Sequence, residues 1–211
     1  MTTIIGLKGY DPVKKEDYAI LASDSQLTEL IGTEHLVKSL TGKKIYNPNP
    51  NLIFANRGLA LFDNPEQKNF SKLGKLLLAE EEKNKRELAS IGTLISDLSP
   101  IQTNLIFANK ESRNINLFST GKEEGIIRTP YSIISGCGRN YAAEIIKPLA
   151  ENELIMSREN AIYNLYDAIN NATTHNDETF TGGFFNLGII SNKIPTKLIE
   201  NEIKLKEFSF S

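Results

Sequence analysis

The chain has 211 residues, 40% of them hydrophobic, which is enough to bury the core of one globular domain. Its formal net charge is −2, and its lysines and arginines are scattered, which argues against nucleic acid and anionic membrane surfaces as partners. A single cysteine excludes an internal disulfide framework, and two well-separated histidines provide no cluster of metal ligands.

The sequence carries no signal for a membrane or a secretory route. No apolar run reaches the roughly 18 residues that a spanning helix needs. The N-terminus also lacks the charged-then-apolar layout of a secretory signal. We therefore expect a cytoplasmic protein, and we expect it to work without a metal or a cofactor.

The first half of the chain predicts two hairpins followed by a helical region. Two short apolar runs, 3–8 and 17–23, are separated by a charged turn and predict a hairpin of two buried strands. Runs 44–46 and 51–56 flank the turn NPNP and predict a second hairpin. Over 66–98, apolar residues recur at three-and-four spacing with one break, which predicts a pair of helices.

The second half returns to strands and then to helices. The predicted elements are, in order, strands at 104–109, 114–118 and 131–134, helices at 141–149 and 161–172, and a strand at 184–190. Strands and helices thus come in blocks, which favours an α+β layered fold over the alternating units of a doubly wound sheet. We treat 1–211 as a single domain.

A hydroxyl side chain follows the initiator methionine directly, in the opening MTTIIGLKGY. A threonine hydroxyl is a poor nucleophile until a base takes its proton, and the α-amine of the same residue, with an ordinary pKa of about 7.7–8.0, can be that base. Thr2 would acquire a free amine if Met1 is removed, which a small second residue permits. Taken alone, a hydroxylated second residue is common and favours an ordinary polar start to an edge strand.

Two charged residues strengthen the nucleophile hypothesis. Asp24 ends the second predicted strand, where its carboxylate can face the start of the first strand, and Lys44 opens the third predicted strand. A lysine near the amine and the hydroxyl favours their deprotonated forms, and an aspartate holds that lysine charged and oriented. Asp24 could instead be a turn residue and Lys44 a solvated edge charge. Jointly the three residues favour a catalytic group supplied by three consecutive strands.

Five segments of the chain resemble one known family. TTIIGLKG, ILASDSQ and TGKKIY are similar to the opening of proteasome β-type subunits, the threonine proteases of the N-terminal-nucleophile hydrolase superfamily. ISGCGRNYAAEII resembles that family's glycine-rich turn before a helix, and HNDETFTGGFFNLGII resembles its acid, hydroxyl and double-glycine segment before a late strand. The resemblance spans nearly the whole chain, with the motifs in the family's order.

The resemblance assigns roles to seven residues. It makes Thr2 the nucleophile with its amine as the base, Lys44 the cation and Asp24 the orienting carboxylate. Cys137 falls where the family has a serine near the amine, and Asp177 and Thr181 match the acid and hydroxyl of the supporting network. Matching IFAN to the family's apolar segment makes the backbone amide of Asn56 the oxyanion donor.

Three of these positions depart from the family pattern. A thiol at Cys137 is a weaker donor than a hydroxyl, so the amine and its water would be held less firmly, and Cys137 could equally be a small buried side chain in a tight turn. One extra residue before Gly182 leaves open whether Asp177 or Glu178 is the acid. At Asn56 the family usually has glycine, and the loop before it is short.

The resemblance implies a four-layer αββα sandwich, made of two antiparallel sheets flanked by helix pairs. It implies a threonine-type endopeptidase subunit of a ring protease that cleaves peptides or unfolded proteins inside a homo-oligomeric chamber, with α-type subunits or an ATPase as candidate caps. Two alternatives stay open: an N-terminal-nucleophile amidohydrolase acting on a small amide, and a non-catalytic ring subunit of the same fold.

Overall fold

The computed structural model describes residues 2–31, 34–57, 104–111, 114–121, 125–151, 154–175 and 180–205. The strands in this part of the chain are β1 (Thr3–Asp11), β2 (Glu16–Asp24), β3 (Leu27–Ile31), β4 (Glu34–Ser39), β5 (Ile45–Asn49), β6 (Leu52–Arg57), β7 (Asn104–Glu111), β8 (Asn114–Gly121), β9 (Gly125–Thr129), β10 (Ser132–Gly136), β11 (Phe184–Ser191) and β12 (Lys197–Lys204). The two helices of the described ranges are α1 (Arg139–Ala150) and α2 (Arg158–Thr174).

The strands of the described residues form three antiparallel sheets. The first sheet has the order β10-β1-β2-β11-β12, the second is the meander β5-β6-β7-β8-β9, and β3 pairs with β4 in a two-stranded sheet. In the first sheet, Ile4 lies opposite Ser23 of β2, and Thr3 lies opposite Gly136 of β10. This register brings the end of β2 and the end of β10 to either side of the start of β1.

The first two sheets pack face to face. Side chains alternate between the two faces of a strand, and the apolar side chains on the facing sides of the two sheets meet in one buried layer. Ile4 and Leu21 of the first sheet pack in one buried cluster with Ile53, Ile106 and Leu117 of the second. The neighbouring positions along β1 and β2 point the other way. Both faces of β1, β2 and β11 are therefore buried, which explains why these strands read as nearly continuous apolar runs.

The two helices cover the outer face of the first sheet. Ala161, Leu165 and Ile169 of α2 pack in a second buried cluster with Ile5 of β1 and Ile20 of β2. The helix begins at the Ser157 cap, whose side chain accepts a hydrogen bond from the backbone of Asn160. The described residues thus form a helix layer and two sheet layers, which confirms the α+β class.

The hexapeptide NLIFAN occurs twice, and its two copies pair with each other. They lie in β6 and β7, antiparallel, with Phe54 directly opposite Phe107. Tyr46 stacks on Phe54 with ring centroids 5.1 Å apart, and Phe107 stacks on Phe118 at 4.9 Å. An aromatic row, Tyr46, Phe54, Phe107 and Phe118, therefore crosses the outer face of the second sheet.

The structure corrects the sequence predictions at several elements. The strands β3, β4, β9 and β12 were not predicted, and the predicted strand 131–134 is β10, which runs from Ser132 to Gly136. Lys44 does not open the third strand, because the β3-β4 hairpin intervenes and Lys44 immediately precedes β5 of the second sheet. The predicted helices at 66–98 lie outside the described residues.

In the described ranges, neither helix has the length and apolar character needed to cross a bilayer.

Candidate active site

Thr2 lies just before β1, between the ends of the two strands that flank β1 in the first sheet, β10 and β2. In the β1-β2 register Ile4 lies opposite Ser23, so that the start of β1 lies beside Asp24 at the end of β2. Thr2 is 5% exposed, and its Oγ1 donates a hydrogen bond of 2.7 Å to Asp24 Oδ1. The candidate nucleophile is therefore buried against the carboxylate that the sequence assigned to it.

Asp24 is fully buried and accepts five hydrogen bonds. Its Oδ1 accepts from Thr2 Oγ1 and from the backbone N–H of Thr3 at 2.9 Å. Its Oδ2 accepts from Lys44 Nζ at 2.8 Å and from the backbone N–H groups of Gln26 at 3.1 Å and Gly182 at 3.4 Å. Five donors on its two oxygens hold this carboxylate in one orientation.

Lys44, the residue just before β5 of the second sheet, supplies the positive charge. Its side chain is 5% exposed and its ammonium forms a 2.8 Å ion pair with Asp24 Oδ2. Burial lowers the pKa of Lys44 from its ordinary value, and the charge of Asp24 opposes that shift. The ion pair links Asp24 at the end of β2 to the residue just before β5, and it uses the carboxylate oxygen that does not accept the Thr2 hydroxyl.

The Thr2 hydroxyl donates to Oδ1 of Asp24, and the Lys44 ammonium donates to Oδ2 of the same carboxylate. The order of contacts is thus hydroxyl, carboxylate, ammonium. In this arrangement Asp24 can accept the hydroxyl proton's hydrogen bond and hold the ammonium of Lys44 in the same cavity.

Cys137 faces the main chain of Thr2. Its backbone N–H donates to the Thr2 carbonyl oxygen at 3.1 Å, and its Sγ lies 3.5 Å from the same oxygen. The preceding Gly136 has φ +121°, a conformation that favours glycine, and a Cβ there would overlap the Thr2 carbonyl. The glycine-rich turn after β10 therefore fits closely over the start of β1.

Thr181 also lies in this cluster, but it contacts a residue that the sequence analysis did not assign. Its Oγ1 lies 2.8 Å from Oγ1 of Thr3 and 4.0 Å from Cys137 Sγ. The Thr3 hydroxyl in turn accepts a hydrogen bond of 3.1 Å from the backbone N–H of Gly138. The sequence signal that could have identified Thr3 is the second threonine of the opening. Adjacent strand residues point to opposite faces, so a buried Thr3 hydroxyl needs hydrogen-bond partners different from those of Thr2.

Two predicted roles, the supporting acid and the oxyanion donor, stay predictions. Asp177 and Glu178 lie outside the described residues. Asn56 lies in β6 opposite Leu105 of β7, so its backbone amide belongs to the second sheet, and its role as an oxyanion donor stays a prediction.

Among the described residues, no group of three or more histidine, cysteine or acidic side chains is arranged to hold a metal ion. The structure brings together five of the predicted site residues near the N-terminal end of β1: Thr2, Asp24, Lys44, Cys137 and Thr181.

A comparison with protein-family models and with curated proteins finds no match to this chain.

Proposed function

We propose that this chain is a threonine-type endopeptidase subunit whose nucleophile is Thr2, exposed by removal of Met1. One observation carries the proposal: the hydroxyl of Thr2, the carboxylate of Asp24 and the ammonium of Lys44 form a continuous hydrogen-bonded chain whose members are at most 5% exposed. Burying a hydroxyl, a carboxylate and an ammonium together is costly in a purely structural role, and buried charged groups of this kind are concentrated at functional sites.

The proposed reaction is acyl transfer through a threonine ester. The α-amine of Thr2 takes the hydroxyl proton as Oγ1 bonds to the peptide carbonyl carbon, and that proton then goes to the leaving amine as the peptide bond breaks. Water, deprotonated by the same amine, attacks the ester and regenerates the hydroxyl. Asp24 and Lys44 keep the local field fixed, and the Asn56 amide is the proposed oxyanion donor.

The proposal extends to the fold and the assembly. The aromatic row on the second sheet is an apolar face that suits a covering layer, and the predicted helices at 66–98 would complete a four-layer αββα sandwich. We propose a homo-oligomeric ring in the cytoplasm that acts on peptides or unfolded proteins, with α-type subunits or an ATPase as candidate caps. Caging replaces sequence selectivity, because access to the chamber then limits cleavage.

Intact mass spectrometry tests the chemistry. The purified protein should have lost the mass of methionine and should gain one adduct with a peptide epoxyketone, which reacts with the hydroxyl and amine of an N-terminal threonine. Thr2→Ser should retain the adduct, and Thr2→Ala should lose it while still losing Met1. Retained Met1 with no adduct would refute the peptidase and favour a non-catalytic subunit.

A second assay separates the peptidase from a small-amide hydrolase of the same superfamily. The peptidase should cleave an unfolded protein substrate, and sedimentation velocity should show a multimeric ring. An adduct-forming protein that leaves unfolded proteins intact and sediments as a small uncaged oligomer would point to the amidohydrolase.

A further inference from the structure

Thr3 connects the proposed nucleophile to the elements around it. Its backbone N–H donates to Asp24 Oδ1 at 2.9 Å, on the same oxygen that accepts the Thr2 hydroxyl. Its side-chain oxygen accepts from Gly138 N–H at 3.1 Å and lies 2.8 Å from Thr181 Oγ1. Thr3 therefore joins β1 to the end of β2, to the turn before α1 and to the segment before β11.

The peptide bond between Thr2 and Thr3 is held at both of its polar atoms. The Thr2 carbonyl accepts from Cys137 N–H, and the Thr3 N–H donates to Asp24. Consecutive amides of one turn, those of Cys137 and Gly138, thus bind the carbonyl of Thr2 and the hydroxyl of Thr3. The hydroxyl of Thr3 fixes the second of these contacts.

The Thr3 side chain is completely buried and faces away from the second sheet. Ile4, the next residue along β1, packs against the second sheet, and alternation along the strand puts Thr3 on the helix side. A Cβ at Gly138 would overlap Thr3 Oγ1 and would crowd Ala172 of α2, so the packing here is tight. Thr3 consequently cannot touch a substrate, and any effect on the reaction acts through Thr2 and Asp24.

We propose that Thr3 is a positioning residue of the site: its hydroxyl, held by Gly138 and Thr181, sets the placement of the Thr2 main chain and the Asp24 carboxylate. This inference rests on the proposed function. A displacement of about 1 Å at a reacting group can cost on the order of 10²-fold in rate, so a hydroxyl that never meets the substrate can control the rate.

The test measures the kinetics of adduct formation between the full chain and a peptide epoxyketone. Thr3→Val keeps the shape and the strand preference of the residue but removes the hydroxyl. It should lower the maximal rate of adduct formation by about 10²-fold and change the half-saturating concentration by less than about twofold, because binding of the probe is untouched. Thr3→Ser should restore the rate.

Thr173→Val is the matched control, since Thr173 is also a buried threonine and its hydroxyl donates to Ile169 O within α2. This variant should react like the wild type. If Thr3→Val does not fold, as judged by circular dichroism, Thr3→Ala replaces it with the same expected loss and the same rescue by serine.

The outcomes are separable. A folded Thr3→Val protein that reacts at the wild-type rate would overturn the positioning role and leave the proposed function standing. A Thr3→Val or Thr3→Ala protein whose half-saturating probe concentration rises by as large a factor as its maximal rate falls would also overturn the positioning role, because that result indicates general destabilisation. Absence of any adduct in the wild type would refute the proposed function and, with it, this inference.

Discussion

Asp24 is the residue on which the site depends, because one buried carboxylate satisfies five donors. Its charge compensates that of Lys44, which is also buried. A buried ion pair adds little net stability over an apolar pair, yet removing one partner strands the other charge in a medium of low dielectric constant. The pair therefore fixes the arrangement of the site more than it stabilises the fold.

Asp24→Asn should destabilise the protein strongly. The neutral amide cannot balance the ammonium of Lys44. Its NH₂ group would also face hydrogen-bond donors where the carboxylate oxygen accepted, so we expect a loss of about 3–5 kcal/mol in the free energy of unfolding. Urea denaturation at pH 7 measures this loss. Glu159→Gln, which breaks a half-exposed pair with Lys14, should stay within about 1 kcal/mol of the wild type. Equal losses in the two variants would contradict the burial argument.

At the scale of elements, Asp11 joins the first hairpin to the start of α2. Its Oδ1 accepts from the backbone N–H groups of Val13 and Lys14 at 3.0 Å, and its Oδ2 accepts from the N–H of Arg158 at 3.1 Å. These hydrogen bonds lower the pKa of Asp11, and the one from the Lys14 backbone contributes most. Burial acts in the opposite direction. The carboxylate is thus more acidic in the folded chain than in the unfolded chain.

The sign of this shift predicts how stability depends on pH. The contribution of Asp11 is complete above its unfolded pKa of about 3.9 and is lost as the pH falls through the lower folded value. Asp11→Asn should be less stable than wild type at pH 7, and the difference should shrink below about pH 4. Urea denaturation at a series of pH values checks this. A difference that stays constant down to pH 2 would show that ionisation of Asp11 is irrelevant.

Asp167→Asn is the control for that series. Asp167 is exposed on α2, and its replacement should leave the free energy of unfolding at pH 7 within about 0.5 kcal/mol of wild type.

The turn between β10 and α1 makes a second prediction at this scale. Gly136→Ala forces a side chain into φ +121° and against the Thr2 carbonyl, so it should cost more than about 2 kcal/mol. Gly182→Ala is the comparison, since its Cβ meets only the end of the Gln26 side chain, which can move. In thermal unfolding, Gly136→Ala should have a clearly lower midpoint temperature than Gly182→Ala. The reverse order would contradict the close fit of this turn.

At the scale of the whole molecule, the packing of the two sheets holds the site together. Asp24 belongs to the first sheet and Lys44 precedes the first strand of the second, so their ion pair forms only when the sheets are stacked. The apolar cluster between the sheets supplies the burial energy for that stacking.

Leu117→Ala tests this dependence. Leu117 is fully buried between the sheets, and its truncation should cost about 2–5 kcal/mol. Leu36→Ala removes the same atoms from a leucine that is 49% exposed and should cost less than about 0.5 kcal/mol. Both values come from urea denaturation at pH 7. Similar costs for the two leucines would contradict the assigned interface.

The sequence predicted best where the signal was local. The hairpin of β1 and β2 and the helix α2 follow from short apolar runs and three-and-four spacing, and the hairpin brings the start of β1, with Thr2 before it, close to Asp24. The strands β4 and β12 escaped prediction because EHLVKS and KLIENEIK mix charged and apolar residues without clear alternation, as edge strands often do. Cys137 and Thr181 could be assigned only through the family resemblance, since nothing local marks them.

The sequence by itself determined the α+β class, the first hairpin and the pairing of the opening threonine with Asp24, because these depend on periodicity and on contacts close along the chain. Only the tertiary structure decided that Lys44 reaches Asp24 from the segment that leads into the second sheet, and that Thr3 joins Thr181 and Gly138. Those contacts link residues up to 178 positions apart, and such contacts depend on how the sheets stack and twist, which no short pattern encodes.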